Sequence, residues 1–87
     1  MALCKEIVKH NFTANYHRIG KVTLWDGELV VCLESYASEE DRRLDMLEFY
    51  ENYSFGVTLE EEESMGIRKL GYIKLKTLPE WADAQDC

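Results

Sequence analysis

The dipeptide Asp26-Gly27 lies between two strand-like segments and turns the chain back on itself. Asp-Gly accepts positive φ at both central positions, as the tight type I′ hairpin requires. Upstream, Tyr16 to Trp25 includes Ile19, Val22, Thr23 and Leu24; downstream, Leu29-Val30-Val31-Cys32-Leu33 is apolar and ends in Glu34-Ser35. Two antiparallel strands follow. A third is written between Met46 and Leu59. Its odd positions read Leu47, Phe49, Glu51, Tyr53, Phe55, Val57 and Leu59, and its even ones Met46, Glu48, Tyr50, Asn52, Ser54, Gly56 and Thr58. Period-two alternation assigns the odd set to the core and the even set to solvent or a partner. Glu51 interrupts the inner row, which points to a bulge or an edge position nearby.

The remaining segments are less regular. Leu3 to Phe12 alternates weakly and reads either as a fourth strand or as an N-terminal arm (residues 1–12) pairing with a neighbouring copy. Asn11 to Asn15 reads as a bend, and Ser38 to Arg43 as a solvated loop or one helical turn. From Ser64 to Leu78 the spacing predicts a helix: Ile67, Leu70, Leu75 and Leu78 share one stripe, and Pro79 stops it. Glu60 to Glu63 before it and Lys74 and Lys76 near its end suit the helix macrodipole. Gly66 and Gly71 oppose the helix, each costing up to about 1 kcal/mol relative to alanine, and Ile73-Lys74-Leu75-Lys76 also alternates like a strand. The C-terminal tail, residues 79–87, holds Trp81, which is expected to pack back on the helix or onto another subunit. The expected fold is α+β: a short antiparallel β-meander of three to four strands with one C-terminal helix packed on a face, in a single domain spanning 1–87.

The chain has 87 residues, enough for one core, and a domain of this size is marginal as a monomer. Self-association is therefore expected. Net charge is −7, and it is unevenly laid out: +3 over residues 1–21, −11 over 22–63, +4 over 64–78 and −3 over 79–87. Phosphate would be repelled by the acidic centre, so nucleic acid is not an expected partner. The alternating blocks suit head-to-tail contacts between copies or docking on a basic partner; they also serve solubility. No apolar run approaches the ~20 residues that span a bilayer, so no membrane role is expected. Cys4, Cys32 and Cys87 cannot all pair within one chain and show no metal or redox spacing. They read as thiols of a reducing cytoplasm, at least until any assembly the protein joins leaves the cell, with Cys87 incidental and Cys32 a small buried hydrophobe.

No catalytic constellation stands out. His10 and His17 are the only histidines and have no partner at metal-ligand spacing; His17 on a strand reads as a hydrogen-bonding or pH-sensitive residue. Ser35, Ser38, Ser54 and Ser64 sit in no nucleophile elbow. The Glu60–Glu63 run lacks the layout of a calcium loop. No cofactor and no enzymatic activity are expected. What rises above background is aromatic surface: Tyr16, Trp25, Tyr36, Tyr50 and Trp81 are the candidate partner-binding residues, since Tyr and Trp are favoured at protein interfaces. Tyr50, on the outward row, leads them.

The ending Leu75-Lys76-Thr77-Leu78-Pro79-Glu80-Trp81-Ala82-Asp83-Ala84-Gln85-Asp86-Cys87 resembles that of small proteins encoded by tailed bacteriophages and prophages. So does Ala14-Asn15-Tyr16-His17-Arg18-Ile19. The resemblance covers most of the chain and is loosest between Glu34 and Glu63. It implies a small protein from among virion structural genes, often of the tail region, and carries over no catalytic residue. The expected function is a non-enzymatic virion or assembly-associated role, through contacts with itself and a larger head or tail component, in the host cytoplasm and then the virion. The competing expectations are an acidic regulator that binds a host protein and a small metal-dependent enzyme.

Overall fold

The structure, a computed structural model, describes residues 2–9 and 11–87; His10 lies outside them. The strands are β1 (Leu3–Lys9), β2 (Phe12–Trp25), β3 (Glu28–Tyr36), β4 (Phe49–Gly56) and β5 (Gln85–Asp86), and the helices α1 (Glu39–Arg43), α2 (Leu59–Ser64) and α3 (Ile67–Leu75). All strand pairs are antiparallel and form one sheet in the order β4-β3-β2-β1-β5. The fold is α+β, with more strands and helices than the sequence suggested.

The Asp-Gly hairpin forms as expected. Asp26 and Gly27 take φ of 49° and 76°, and Trp25 pairs with Glu28. The N-terminal segment is a strand of its own sheet, because β1 pairs with β2 from Leu3↔His17 to Lys9↔Phe12. Asn11 turns at a φ of 67° and β2 begins at once, so the expected bend over Asn11 to Asn15 is replaced by strand.

β4 keeps the expected parity but is shorter. Phe49, Glu51, Tyr53 and Phe55 are half-buried, and Tyr50, Asn52, Ser54 and Gly56 are exposed. Leu47 and Leu59 leave the inner row, at 42% and 68% exposure. The causes are local. After α1, Asp45 takes a left-handed φ of 57° and Met46 N–H donates to the Asp41 carbonyl at 2.9 Å, so residues 44–48 are used in turning the chain. At the other end Thr58 caps α2 through a reciprocal capping box with Glu61, which stops the strand at Gly56.

The helix expected over Ser64 to Leu78 forms in shorter shape as α3, which covers the sheet, and a separate helix, α2, precedes it where the sequence suggested only the end of a strand and an acidic run. Gly66 is the extended N-cap of α3, at φ −66° and ψ 148°. Gly71 is where α3 comes closest to the sheet: a Cβ there would stand 2.9 Å from Ile19 Cδ1 and 3.3 Å from Val31 Cγ2. The glycine that weakens the helix on propensity grounds is the one that lets it dock. Leu70, Tyr72 and Leu75 then join Ile19, Leu29, Val31 and Leu33 in the core, each buried aliphatic contributing about 1.5–3 kcal/mol. Ile67, expected in the buried stripe, is exposed on the first turn of α3.

The tail completes the core. Trp81 is 2% exposed, with its ring edge on His17 at 4.7 Å between centroids, so it packs within its own chain. The chain then runs on as β5 beside Leu3 and Cys4, and Cys87 is disulfide-bonded to Cys4. Cys87 is therefore a structural clasp, correcting its reading as incidental; Cys32 alone among the three is free.

Candidate protein-interaction face

The two faces of the sheet differ sharply. Leu29, Val31, Leu33 and Ser35 of β3 point into the core, so Glu28, Val30, Cys32, Glu34 and Tyr36 line the opposite face. Cross-strand register builds rows on that face: Tyr16 opposite Tyr36; Arg18, Glu34 and Tyr50; Lys21, Cys32 and Asn52; Thr23, Val30 and Ser54; Trp25 opposite Glu28. Ser54 Oγ donates to Glu28 Oε1 at 2.7 Å across the face. A β-bulge between Ile19 and Lys21 brings Gly20 under the Glu34 side chain, whose carboxyl a Cβ at Gly20 would overlap.

Of the five aromatic candidates, four fall on these rows. Trp25 is 83% and Tyr50 60% exposed, at opposite ends of the face, and Tyr16 is half-buried. Tyr36 lies opposite Tyr16, one row beyond Tyr50, but is only 4% exposed, with its hydroxyl donating to Glu34 at 3.2 Å. It therefore supports the surface and offers little of it. Trp81 does not belong to the face: it is a core residue, and burial removes it from the exposed set. Between the aromatic ends lies a shallow concavity of about 260 Å³ lined by Lys21, Thr23, Val30, Cys32 and Asn52. Burial, and next the Glu34 carboxylate, push the Cys32 thiol above its ordinary value, so it sits there protonated and weakly nucleophilic. Leu44, Met46 and Leu47 add exposed apolar surface in the α1–β4 connection that leads into Tyr50.

The buried polar groups are structural. His17, 0% exposed, makes a 2.7 Å bond from Nε2 to the Lys5 carbonyl and a 2.8 Å bond between Nδ1 and the Ser35 hydroxyl. A carbonyl only accepts, so Nε2 carries the proton and Ser35 donates to Nδ1. Burial holds the imidazole below 6.5, hence neutral. This is a serine hydroxyl aimed at a histidine base, but Ser35 is only 2% exposed and both partners are enclosed; the pair ties β2 to β1 and β3. Sequence spacing gave no hint of it, because the contact is made by cross-strand register, His17 opposite Ser35. Among the described residues no group of three His, Cys, Asp or Glu side chains could hold a metal ion.

The charge blocks meet each other inside the chain. Lys5 pairs with Asp83 at 2.6 Å, Lys74 with Glu61 at 2.7 Å, Lys76 with Asp86 at 2.7 Å, and Lys9 with Glu51 and Glu80. Much of the basic charge that looked available for contacts between copies thus holds the tail and α2 to the rest of the fold. Among the described residues, no helix is long and apolar enough to cross a membrane.

Comparison with family models, with curated proteins and with solved structures finds no match to this chain.

Proposed function

We propose that this chain is a non-enzymatic interaction domain whose working surface is the open face of β2, β3 and β4. The observation that carries the reading is the gathering of Trp25, Tyr50 and Tyr16 on one face, around a concavity, while the other face is taken up by α3 and the tail. Large aromatics at 60–83% exposure add little to the monomer and much to an interface. The resemblance of the C-terminal segment to small tailed-phage proteins supplies the setting: a virion or assembly-associated protein that binds a larger head or tail component and its own copies. The Cys4–Cys87 disulfide suits a protein whose final location is outside a reducing cytoplasm.

A second reading is favoured by a separate observation. Glu39 and Glu40 on α1 and Glu60, Glu62 and Glu63 at α2 are exposed, forming acidic patches that suit a basic host protein. Trp25→Ala/Tyr50→Ala, compared with Glu60→Gln/Glu62→Gln/Glu63→Gln, separates the two. Incorporation into purified particles falls for the aromatic double variant and stays normal for the glutamine triple if the open face is the working surface. The reverse pattern, or absence of the protein from particles and assembly intermediates, removes the first reading.

A further inference from the structure

We propose that a second copy of this chain pairs antiparallel with β4 in a register centred on Asn52, joining two five-stranded sheets edge to edge. The inference deepens the interaction reading above, on which it rests, by naming one partner and the contact it makes.

β4 ends the sheet, and its backbone directions follow from the ladder with β3. Val57 N–H donates to the Gly27 carbonyl at 2.9 Å, and pairing continues without a register shift from Glu28↔Gly56 to Ser35↔Phe49. Bonded and non-bonded pairs alternate in an antiparallel ladder. Phe49, Glu51, Tyr53 and Phe55 therefore direct their backbone groups to β3, and Tyr50, Asn52 and Ser54 direct theirs outward. Edges of this kind template the addition of another strand unless something blunts them. β4 has eight residues, no proline, no lysine and no bulge. Its single charge, Glu51, lies on the inner row, paired with Lys9 and accepting from the Tyr53 hydroxyl at 2.7 Å.

The side chains select a second copy and one register. Residues opposite each other across an antiparallel pair share a face, so each must meet one of its own parity. With Asn52 opposite its symmetry mate, Tyr50 meets Ser54, Glu51 meets Tyr53 and Phe49 meets Phe55. Moving the centre to Glu51 sets two carboxylates against each other. Moving it to Tyr53 places Glu51 against Phe55 and shortens the overlap. Only the Asn52 register brings aromatic to aromatic and the carboxylate to a hydroxyl. It also makes the open faces of the two copies continuous, with both Tyr50 rings near the junction.

The test is a symmetric crosslink. Asn52→Cys is made with Cys32→Ala, because Cys32 is Asn52's neighbour on β3. Mild oxidation then yields a covalent dimer on a non-reducing gel. Tyr50→Cys in the same background stays monomeric, since its two copies would lie about 13 Å apart at ~3.3 Å per residue, beyond disulfide reach. Light scattering gives a dimer for the native chain and a monomer for Asn52→Pro, which removes an outward N–H while sparing the β3 ladder. Asn52→Lys, which sets two cations on the symmetry axis, gives the same loss should the proline variant not fold. A native chain that is monomeric at every concentration, or crosslinking at position 50 in place of 52, overturns the proposal. A monomer that still enters particles through Trp25 and Tyr50 overturns the pairing alone; a dimer absent from particles overturns the functional reading and leaves the pairing standing.

Discussion

The indole N–H of Trp81 donates to the hydroxyl of Tyr53 at 3.1 Å, linking the C-terminal tail to the edge strand of the sheet. Tyr53 in turn donates a hydrogen bond to Glu51 at 2.7 Å, and burial together with that bond pushes its phenol well above its ordinary range. The two tryptophans therefore do opposite jobs. Trp81→Ala removes a buried aromatic and leaves a cavity, for a loss of about 3–5 kcal/mol. Trp25→Ala, at an 83% exposed position, stays within about 0.5 kcal/mol of the native chain. Urea unfolding of both variants checks the contrast, and equal midpoints would contradict this placement of Trp81.

His17 makes stability depend on pH in a defined direction. Burial lowers its pKa below 6.5, against smaller upward pulls from the Lys5 carbonyl and Glu80 and a further downward one from Lys9. Below pH 6.5 the unfolded chain binds a proton at this site that the folded chain refuses. Stability is therefore full above 6.5 and falls on acidification, by at most about 1.4 kcal/mol per pH unit. Glu61 and Asp83 are held below their ordinary values by Lys74 and Lys5, so their contributions fade only below pH 4.5. Melting temperatures from pH 7.5 down to the carboxylate range should slope for the native chain and flatten for His17→Gln, which is also less stable. An unchanged slope in the variant would assign the effect elsewhere.

How much of this was legible in the sequence depended on whether the cause was local. Asp26-Gly27 and the parity of β4 are set by neighbours in the chain, and both appear in the structure as written. The Thr58–Glu61 capping box is equally local; its Thr-x-x-Glu spacing marks a helix start that ends β4 early and overrides the alternation that continues to Leu59. The gathering of Tyr16, Trp25 and Tyr50 on one face does not follow from parity: Tyr16 and Trp25 are an odd number of positions apart, and the β-bulge between Ile19 and Lys21 is what sets them on the same side of the sheet. Gly71, the His17–Ser35 pair and the Cys4–Cys87 bond are different. Each is created by residues brought together from distant parts of the chain, and propensity or spacing carries no trace of them.

The two glycines of the helical region give a direct test of that distinction. Gly66 has open space around its Cβ position and no side-chain cap, so Gly66→Ser should match the native chain or exceed it by a few tenths of a kcal/mol. Gly71→Val forces branched carbon atoms into Ile19 and Val31, lifting α3 from the sheet at a cost of about 1–3 kcal/mol. Thermal denaturation of the pair reads both. A Gly71→Val variant as stable as the native chain would mean that α3 does not approach the sheet here.

The Cys4–Cys87 bond closes a ring across a separation of 83 residues, nearly the whole chain, and it does so where other fastenings are weak. β5 is two residues long, and the Ala2–Cys87 backbone pair, the Lys76–Asp86 contact and its short ladder with β1 also hold it. A cross-link of this span constrains the unfolded chain strongly, so its removal should cost about 2–5 kcal/mol. In a domain of this size each kcal/mol moves the melting temperature by roughly 4–8 °C. A dithiol reductant should therefore lower the melting temperature of the native chain and leave that of Cys4→Ser/Cys87→Ser unchanged, at the lower value. Hydrogen exchange should localise the early loss of protection to residues 2–4 and 85–87, with β3 protected until global unfolding. Without reductant, alkylation of the unfolded chain should modify Cys32 alone. Labelling of all three cysteines in that sample, or a reductant-insensitive melting temperature, would show that the clasp does not form.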